Sequence, residues 1–203
     1  NLMDLEPYPT DNTFDLSLSP VNDGYVLFIG SEKGSNAIAD LDLPDASTDI
    51  LAKVDQRRKI IKEKLEAQNS KYKTTETYRN LVEKNPDSKS WDIHGSTCVG
   101  CAACTYVCPT CFCFSIYDVP RKDGLTDRFI ALDSCKYQRF SFMAGGLNPR
   151  GSLVERFKHR YNHKFFHYNW RYGINACTGC GRCIENCMGK IDMRETLKDL
   201  ESK

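Results

Sequence analysis

The sequence predicts a mainly α fold: a helical, cysteine-rich C-terminal domain preceded by a β-hairpin and charged helices. Three observations predict it. One cysteine pattern occurs twice, as Cys98-Val-Gly-Cys101-Ala-Ala-Cys104-Thr-Tyr-Val-Cys108 and as Cys177-Thr-Gly-Cys180-Gly-Arg-Cys183-Ile-Glu-Asn-Cys187, with a long insert between the copies. Apolar residues recur at helical spacing near residues 50–65 and 153–165. The period-two alternation of a half-buried strand is confined to a short N-terminal stretch.

Taken in order, residues 1–13 are polar, carry prolines and read as a loop. Phe14-Asp-Leu16-Ser-Leu18 alternates as a strand does, and Tyr25 to Ile29 is a β-rich run. Between them, Ser19 to Gly24 is turn chemistry, with Asp23-Gly24 tolerant of positive φ. A lone hairpin is marginal in water. This one is therefore expected to extend a larger sheet, as a remnant of a larger N-terminal α+β domain or against a partner. Gly30-Ser-Glu-Lys-Gly34 lacks the ending of a phosphate loop and reads as a turn into a short helix.

From Asp45 the composition turns to Lys, Arg, Glu and Gln. Ser47 or Thr48 can cap a helix that sets Ile50, Leu51, Val54, Ile61 and Leu65 on one face. A break at Gln68 to Lys71 precedes a second helix over 75–84, stopped by Asn85-Pro86. These signals divide the chain into a hairpin-containing segment (1–44), a charged helical linker (45–90) and a cysteine-rich domain (91–203).

The repeated C-x2-C-x2-C-x3-C spacing is that of cubane iron–sulfur ligation, in which the fourth cysteine commonly reaches the other cluster. Cys98, Cys101, Cys104 and Cys187 are thus candidate ligands of one 4Fe-4S cluster, and Cys177, Cys180, Cys183 and Cys108 of a second. Zinc or disulfides are the competing uses of such cysteines. Of the 11 cysteines, Cys111, Cys113 and Cys135 remain. They form a candidate third metal site short of a fourth ligand, or are buried small apolar residues. Trp91 is expected to pack over a cluster, and His94 to stay unligated because cluster ligation is mostly by thiolate.

The adjacent Gly145 and Gly146 imply tight backbone geometry. Ser152 can cap a helix through Leu153, Val154, Phe157, Tyr161 and Phe165. Its other face carries Arg156, Lys158, Arg160 and Lys164, suited to neutralising anionic clusters or docking an acidic partner. Met188 stands where proline usually follows the fourth cysteine, which is expected to alter the turn and leave the thiolates.

A net charge of +1 over 203 residues argues against nucleic acid as a partner. No apolar run approaches the roughly 20 residues that span a bilayer, so no membrane insertion is expected. Unexported, thiol-rich sequence points to the reducing cytoplasm. The start at Asn1 without Met suggests a processed or truncated chain.

Val-Cys-Pro-Thr-Cys-Phe-Cys (107–113), Leu-Asp-Ser-Cys (132–135), Ala-Gly-Gly-Leu-Asn-Pro-Arg (144–150), His-Lys-Phe (163–165) and Cys-Thr-Gly-Cys-Gly-Arg-Cys (177–183) occur in that order. They resemble the iron–sulfur β subunit of soluble, NAD(P)-linked nickel–iron hydrogenases of the sulfhydrogenase type. The iron–sulfur subunit of anaerobic sulfite reductase is similar over the same stretch. The resemblance runs from about Trp91 to Met193 and is faint before it. It implies a helical-ferredoxin-type dicluster domain, since Pro109 to Ala176 is too long an insert for a compact ferredoxin. It also implies an electron-transfer subunit with no catalytic residue of its own. Its partners would be a flavin/NAD(P)-binding subunit on one side and a catalytic redox subunit on the other. The alternative is a sulfur- or disulfide-reducing enzyme with an open iron near Cys111, Cys113 and Cys135.

Overall fold

A computed structural model describes residues 13–22 and 24–201, together with Met3, Glu6, Tyr8 and Pro9. The loop expected at 1–13 and Asp23 of the expected turn lie largely outside the described residues. The chain divides into two compact units, Asn1–Lys71 and Tyr72–Lys203. Among the described residues, no helix is long and apolar enough to cross a membrane.

In the first unit, strands β1 (Leu16–Val21) and β2 (Gly24–Ile29) pair antiparallel, with Ser17 opposite Phe28 and Ser19 opposite Val26. Helix α1 (Glu32–Ala37) starts at Ser31, whose hydroxyl accepts from Gly34 N at 3.1 Å. Gly30 to Gly34 is thus the expected turn into a short helix. Helix α2 (Thr48–Asn69) starts at Ser47, whose hydroxyl accepts from Ile50 N. Of the apolar face expected on α2, Val54 alone is fully buried, and Leu51 and Ile61 are exposed. The face of the hairpin covered by α2 is the one bearing the serines. Arg58 reaches Ser19 Oγ and stacks on the Phe28 ring. Leu16, Leu18, Tyr25 and Ile29 stay exposed. Period-two patterning locates the strand; it does not say which face a neighbour will cover.

The second unit is a helical core with one hairpin. Helices α3 (Tyr78–Lys84) and α4 (Ser90–Ser96) lead to a single turn, α5 (Ala103–Tyr106). Strands β3 (Phe114–Pro120) and β4 (Thr126–Leu132) form an antiparallel hairpin that the sequence reading did not expect, with Phe114 opposite Leu132 and Ile116 opposite Ile130. After two short 3-10 turns comes α6 (Leu153–Tyr161), opened by a capping box: Ser152 Oγ accepts from Glu155 N, and Glu155 Oε2 from Ser152 N. Such a cap contributes about 1 kcal/mol. The helix runs on through a π-helical turn at 162–167 into α7 (Tyr168–Tyr172) and stops at left-handed Gly173. The short α8 (Arg182–Glu185) and α9 (Met193–Asp199) follow.

The core of this unit joins Tyr78, Leu81 and Val82 of α3, Trp91 of α4, Phe157 and Tyr161 of α6, Phe165, and Leu197 and Leu200 at the C-terminus. Trp91 meets Tyr161 edge-on at 5.4 Å, and Tyr78 meets Phe165 at 5.5 Å. Burying each such side chain is worth about 1.5–3 kcal/mol. Packing of α4 against α6 and of α5 against α8 brings the two cysteine runs onto one side of this core.

Candidate metal centre

Each cysteine run folds into a loop closed by one helical turn. Gly100 and Gly179 sit at φ 68° and 67° after the first cysteine of their runs, and Ala102 and Gly181 at φ 64° and 77° after the second. The left-handed pair turns the chain back so that three cysteines can face one side.

Cys98, Cys101 and Cys104 of the first run line one cavity together with Cys187 and Cys183 of the second. The approach depends on Gly189, since a Cβ there would collide with Thr97 O. Lys136 and Arg160 stand in the same wall and are 3% and 4% exposed. Burial pulls the Lys136 ammonium below its usual value, while the thiolates of Cys104 and Cys98 oppose that pull. Burial also works against the Arg160 charge, and Cys104 and Cys183 outweigh it, so Arg160 lies above its ordinary value. Arg160 donates to Cys104 O at 2.9 Å, yet its buried Nε has no partner among the described residues.

Cys108, the last cysteine of the first run, sits on Lys164. Its buried ammonium donates to Cys108 Sγ at 3.1 Å, Thr110 Oγ1 at 2.9 Å and Ala176 O at 2.6 Å. Three donors meet three acceptors, which satisfies an ammonium completely. Ala176 N also donates to Lys164 O. The end of the first run is thereby tied to the residue preceding Cys177. The Cys108 thiol is held well below its ordinary value, by S–H donation from Cys111 first, then by Thr110 and Lys164. Cys111 correspondingly keeps its proton. Burial pushes Cys177 up, and Gly179 N donates to its sulfur at 3.5 Å.

The donor set fits an anionic iron–sulfur group. Buried cations and an unpaired N–H in a thiol-lined cavity complement a net anion that accepts hydrogen bonds through sulfur. Among the described residues, no three His, Cys, Asp or Glu side chains converge as the ligands of one ion would. Tetrahedral zinc needs that single point. A cubane does not, because each thiolate takes its own iron.

Residues 97–191 match the family described as 4Fe-4S dicluster domain. Sulfhydrogenase 2 subunit beta of Pyrococcus furiosus is 31% identical over 187 residues, which cover 92% of this chain and 55% of that subunit. The chain is thus similar to a sulfhydrogenase β subunit, and its residues 97–191 to 4Fe-4S dicluster domains. It spans just over half the length of the relative it matches. No solved structure matches it.

Around the dicluster domain, the other residues singled out in the sequence take varied places. Trp91 packs on Phe157 and Tyr161, which line the first cavity, and is itself one layer behind. Its indole N–H is drawn the other way, to Asn85 O at 2.8 Å. His94 pairs with Asp199 at 2.8 Å and ties α4 to α9. Met188 leaves the turn intact: Lys190 N reaches Cys187 O at 3.1 Å, as Cys111 N reaches Cys108 O at 3.2 Å. Cys111 is tied through its backbone N–H to Cys108 O, whereas Cys113 and Cys135 share the lining of another cavity. Arg156, Arg160 and Lys164 are buried, and Arg156 donates to the carbonyls of Lys136, Arg150 and Gly151. Lys136 is the site residue that the sequence reading did not single out. A lysine isolated among aromatics and small residues was the available signal.

Proposed function

We propose that the chain is the electron-transfer iron–sulfur subunit of a multi-subunit oxidoreductase of the hydrogenase type. It would relay electrons with a flavin/NAD(P)H subunit on one side and a catalytic subunit on the other. What supports this reading is that Cys98, Cys101 and Cys104 line one cavity with Cys187 and Cys183 of the second run, as an exchange of fourth ligands between two neighbouring clusters would require. In this reading Cys98, Cys101, Cys104 and Cys187 hold one 4Fe-4S cluster, and Cys177, Cys180, Cys183 and Cys108 the other. When bound, such clusters supply one-electron redox chemistry.

The chain's own residues do the positioning. Lys136 and Arg160 offset the negative charge of the first thiol set, and Lys164 that of Cys108. Phe157, Tyr161 and Met193 exclude water from the first cavity. Membership of a complex is supported by the β3–β4 hairpin, on one face of which Phe114, Ile116, Ile130 and Leu132 are each more than half exposed. The alternative of an open iron held by Cys111, Cys113 and Cys135 has less support, because Cys113 and Cys135 line a cavity that Cys111 does not. Anaerobically reconstituted protein should hold about eight cubane irons and, when reduced, give EPR signals of two interacting clusters. A single isolated cluster would falsify the reading.

A further inference from the structure

A cavity of about 320 Å³ lies between the segment that follows the first cysteine run and the α6–α7 helix. Its wall includes Cys113, Cys135, Phe112, His159, His163 and His167. Neither cysteine belongs to the eight assigned above. The three histidines recur every fourth residue, so one side of the helix and its π turn presents all of them to this cavity.

Several contacts organise the wall. Asp133 N donates to Cys113 O at 3.0 Å, which holds the two cysteine-bearing segments side by side. Cys113 and Cys135, one on each of these segments, line the same wall. Phe112 packs edge-on against the His163 ring at 5.9 Å. His159 Nδ1 faces Arg150 Nη1 at 3.5 Å. Among the described residues, His163 and His167 have no hydrogen-bond partner, so their ring nitrogens are open.

We infer that Cys113, Cys135, His163 and His167 hold a further iron–sulfur centre of the 2Fe-2S type, with two thiolates on one iron and two imidazoles on the other. Two cysteines on segments hydrogen-bonded side by side, lining one cavity, suit two thiolates of a single iron; the thiolates of a cubane are spread over separate irons. Mixed sulfur and nitrogen ligands suit iron–sulfur clusters or zinc. Zinc would need one point of convergence, and none forms among the described residues. The cavity also far exceeds one small ion, given that a water molecule's share of liquid volume is about 30 Å³. Binding would release the two thiol protons to solvent. Histidine ligation raises the potential of such a centre above all-cysteine ligation. Electrons from the low-potential cubanes would therefore run downhill to it. The inference rests on the chain assembling iron–sulfur clusters.

The test is iron, acid-labile sulfide and zinc content of the anaerobically reconstituted full chain, with EPR at stepped potentials. Wild type should hold about ten irons, and Cys113→Ser/Cys135→Ser about two fewer with both cubane signals kept. His163→Ala should lose the same two irons, and His159→Ala should keep them. His163→Cys should retain the irons and lower that centre's potential, which a merely structural histidine would not do. Eight irons in wild type and in the double cysteine variant would overturn the inference and leave the electron-relay reading standing. So would zinc in place of iron, a loss of about four irons in the double variant, or a Cys113–Cys135 disulfide with iron unchanged. Failure to hold even the eight cubane irons would overturn the relay reading itself.

Discussion

From Cys98 and Cys177 onward, the two cysteine runs repeat one another hydrogen bond for hydrogen bond. Thr105 N to Ala102 O (2.9 Å) is matched by Ile184 N to Gly181 O (2.8 Å). Cys108 N to Thr105 O (3.3 Å) is matched by Cys187 N to Ile184 O (3.2 Å). Their surroundings do not repeat. The first run ends on a cysteine whose sulfur meets Lys164 Nζ and Thr110 Oγ1. The second ends on one that accepts from Ile191 N at 3.3 Å, beside an exposed Met188. Lys136, Arg160 and Lys164 all come from the insert between the runs. The difference teaches that the repeated spacing builds the ligand loops, and the insert makes the two sites inequivalent. Charge and hydrogen bonds near a cluster set its potential, so two sites with the same loop should titrate apart.

The largest effect should come from removing the runs' last ligands. Cys108→Ala and Cys187→Ala should each lose about four irons, yet leave different clusters behind. Cys108→Ala should spare the cluster of Cys98, Cys101 and Cys104, and Cys187→Ala the one of Cys177, Cys180 and Cys183. EPR of each variant at stepped potentials decides it; the reverse assignment would show that each run serves its own cluster. Next is Gly189→Ala, which forces a methyl onto Thr97 O where the runs approach. A cost of about 3 kcal/mol is expected, read as a lowered unfolding midpoint. Smaller still, Lys164→Met should lower the potential of the Cys108 site by tens of millivolts and leave the other site nearly unmoved. Lys136→Met should do the converse. Equal shifts at both clusters in either variant would erase the inequivalence argued from the insert.

How much of this was legible depended on whether the signal was local. Cysteine spacing and the caps at Ser47 and Ser152 are written within a few residues, and the helix starts stand where those residues put them. The β3–β4 hairpin was missed even though Asp123-Gly124 is turn chemistry. Both its faces are largely exposed and carry apolar residues, so no period-two polarity marks it. The stripe of Arg156, Arg160 and Lys164 reads in sequence as suited to anionic clusters or an acidic partner, without naming the contact. It is buried because thiols and carbonyls from other segments face it, as when Lys164 meets Cys108, and no local pattern encodes that partner. The split of Cys111 from Cys113 and Cys135 was equally hidden, since Cys-x-Cys spacing does not say which sulfur turns which way.

The finest test of the comparison lies at a left-handed position where the runs differ in residue and agree in backbone. Ala102 is left-handed at φ 64° and 2% exposed, and Gly181 is left-handed at φ 77° with nothing within 4 Å of an added Cβ. A left-handed alanine carries about 1 kcal/mol of strain. At Ala102 a buried methyl returns about 0.8 kcal/mol of it. Ala102→Gly should therefore change stability by less than about 0.5 kcal/mol, because relief of strain and loss of the methyl nearly cancel. Gly181→Ala meets open space, recovers no packing and should cost about 1 kcal/mol. Denaturant midpoints of the two variants measure the gap directly. Equal costs would mean that the Ala102 methyl packs no better than one in solvent, and that the first run's tighter enclosure contributes nothing at this turn.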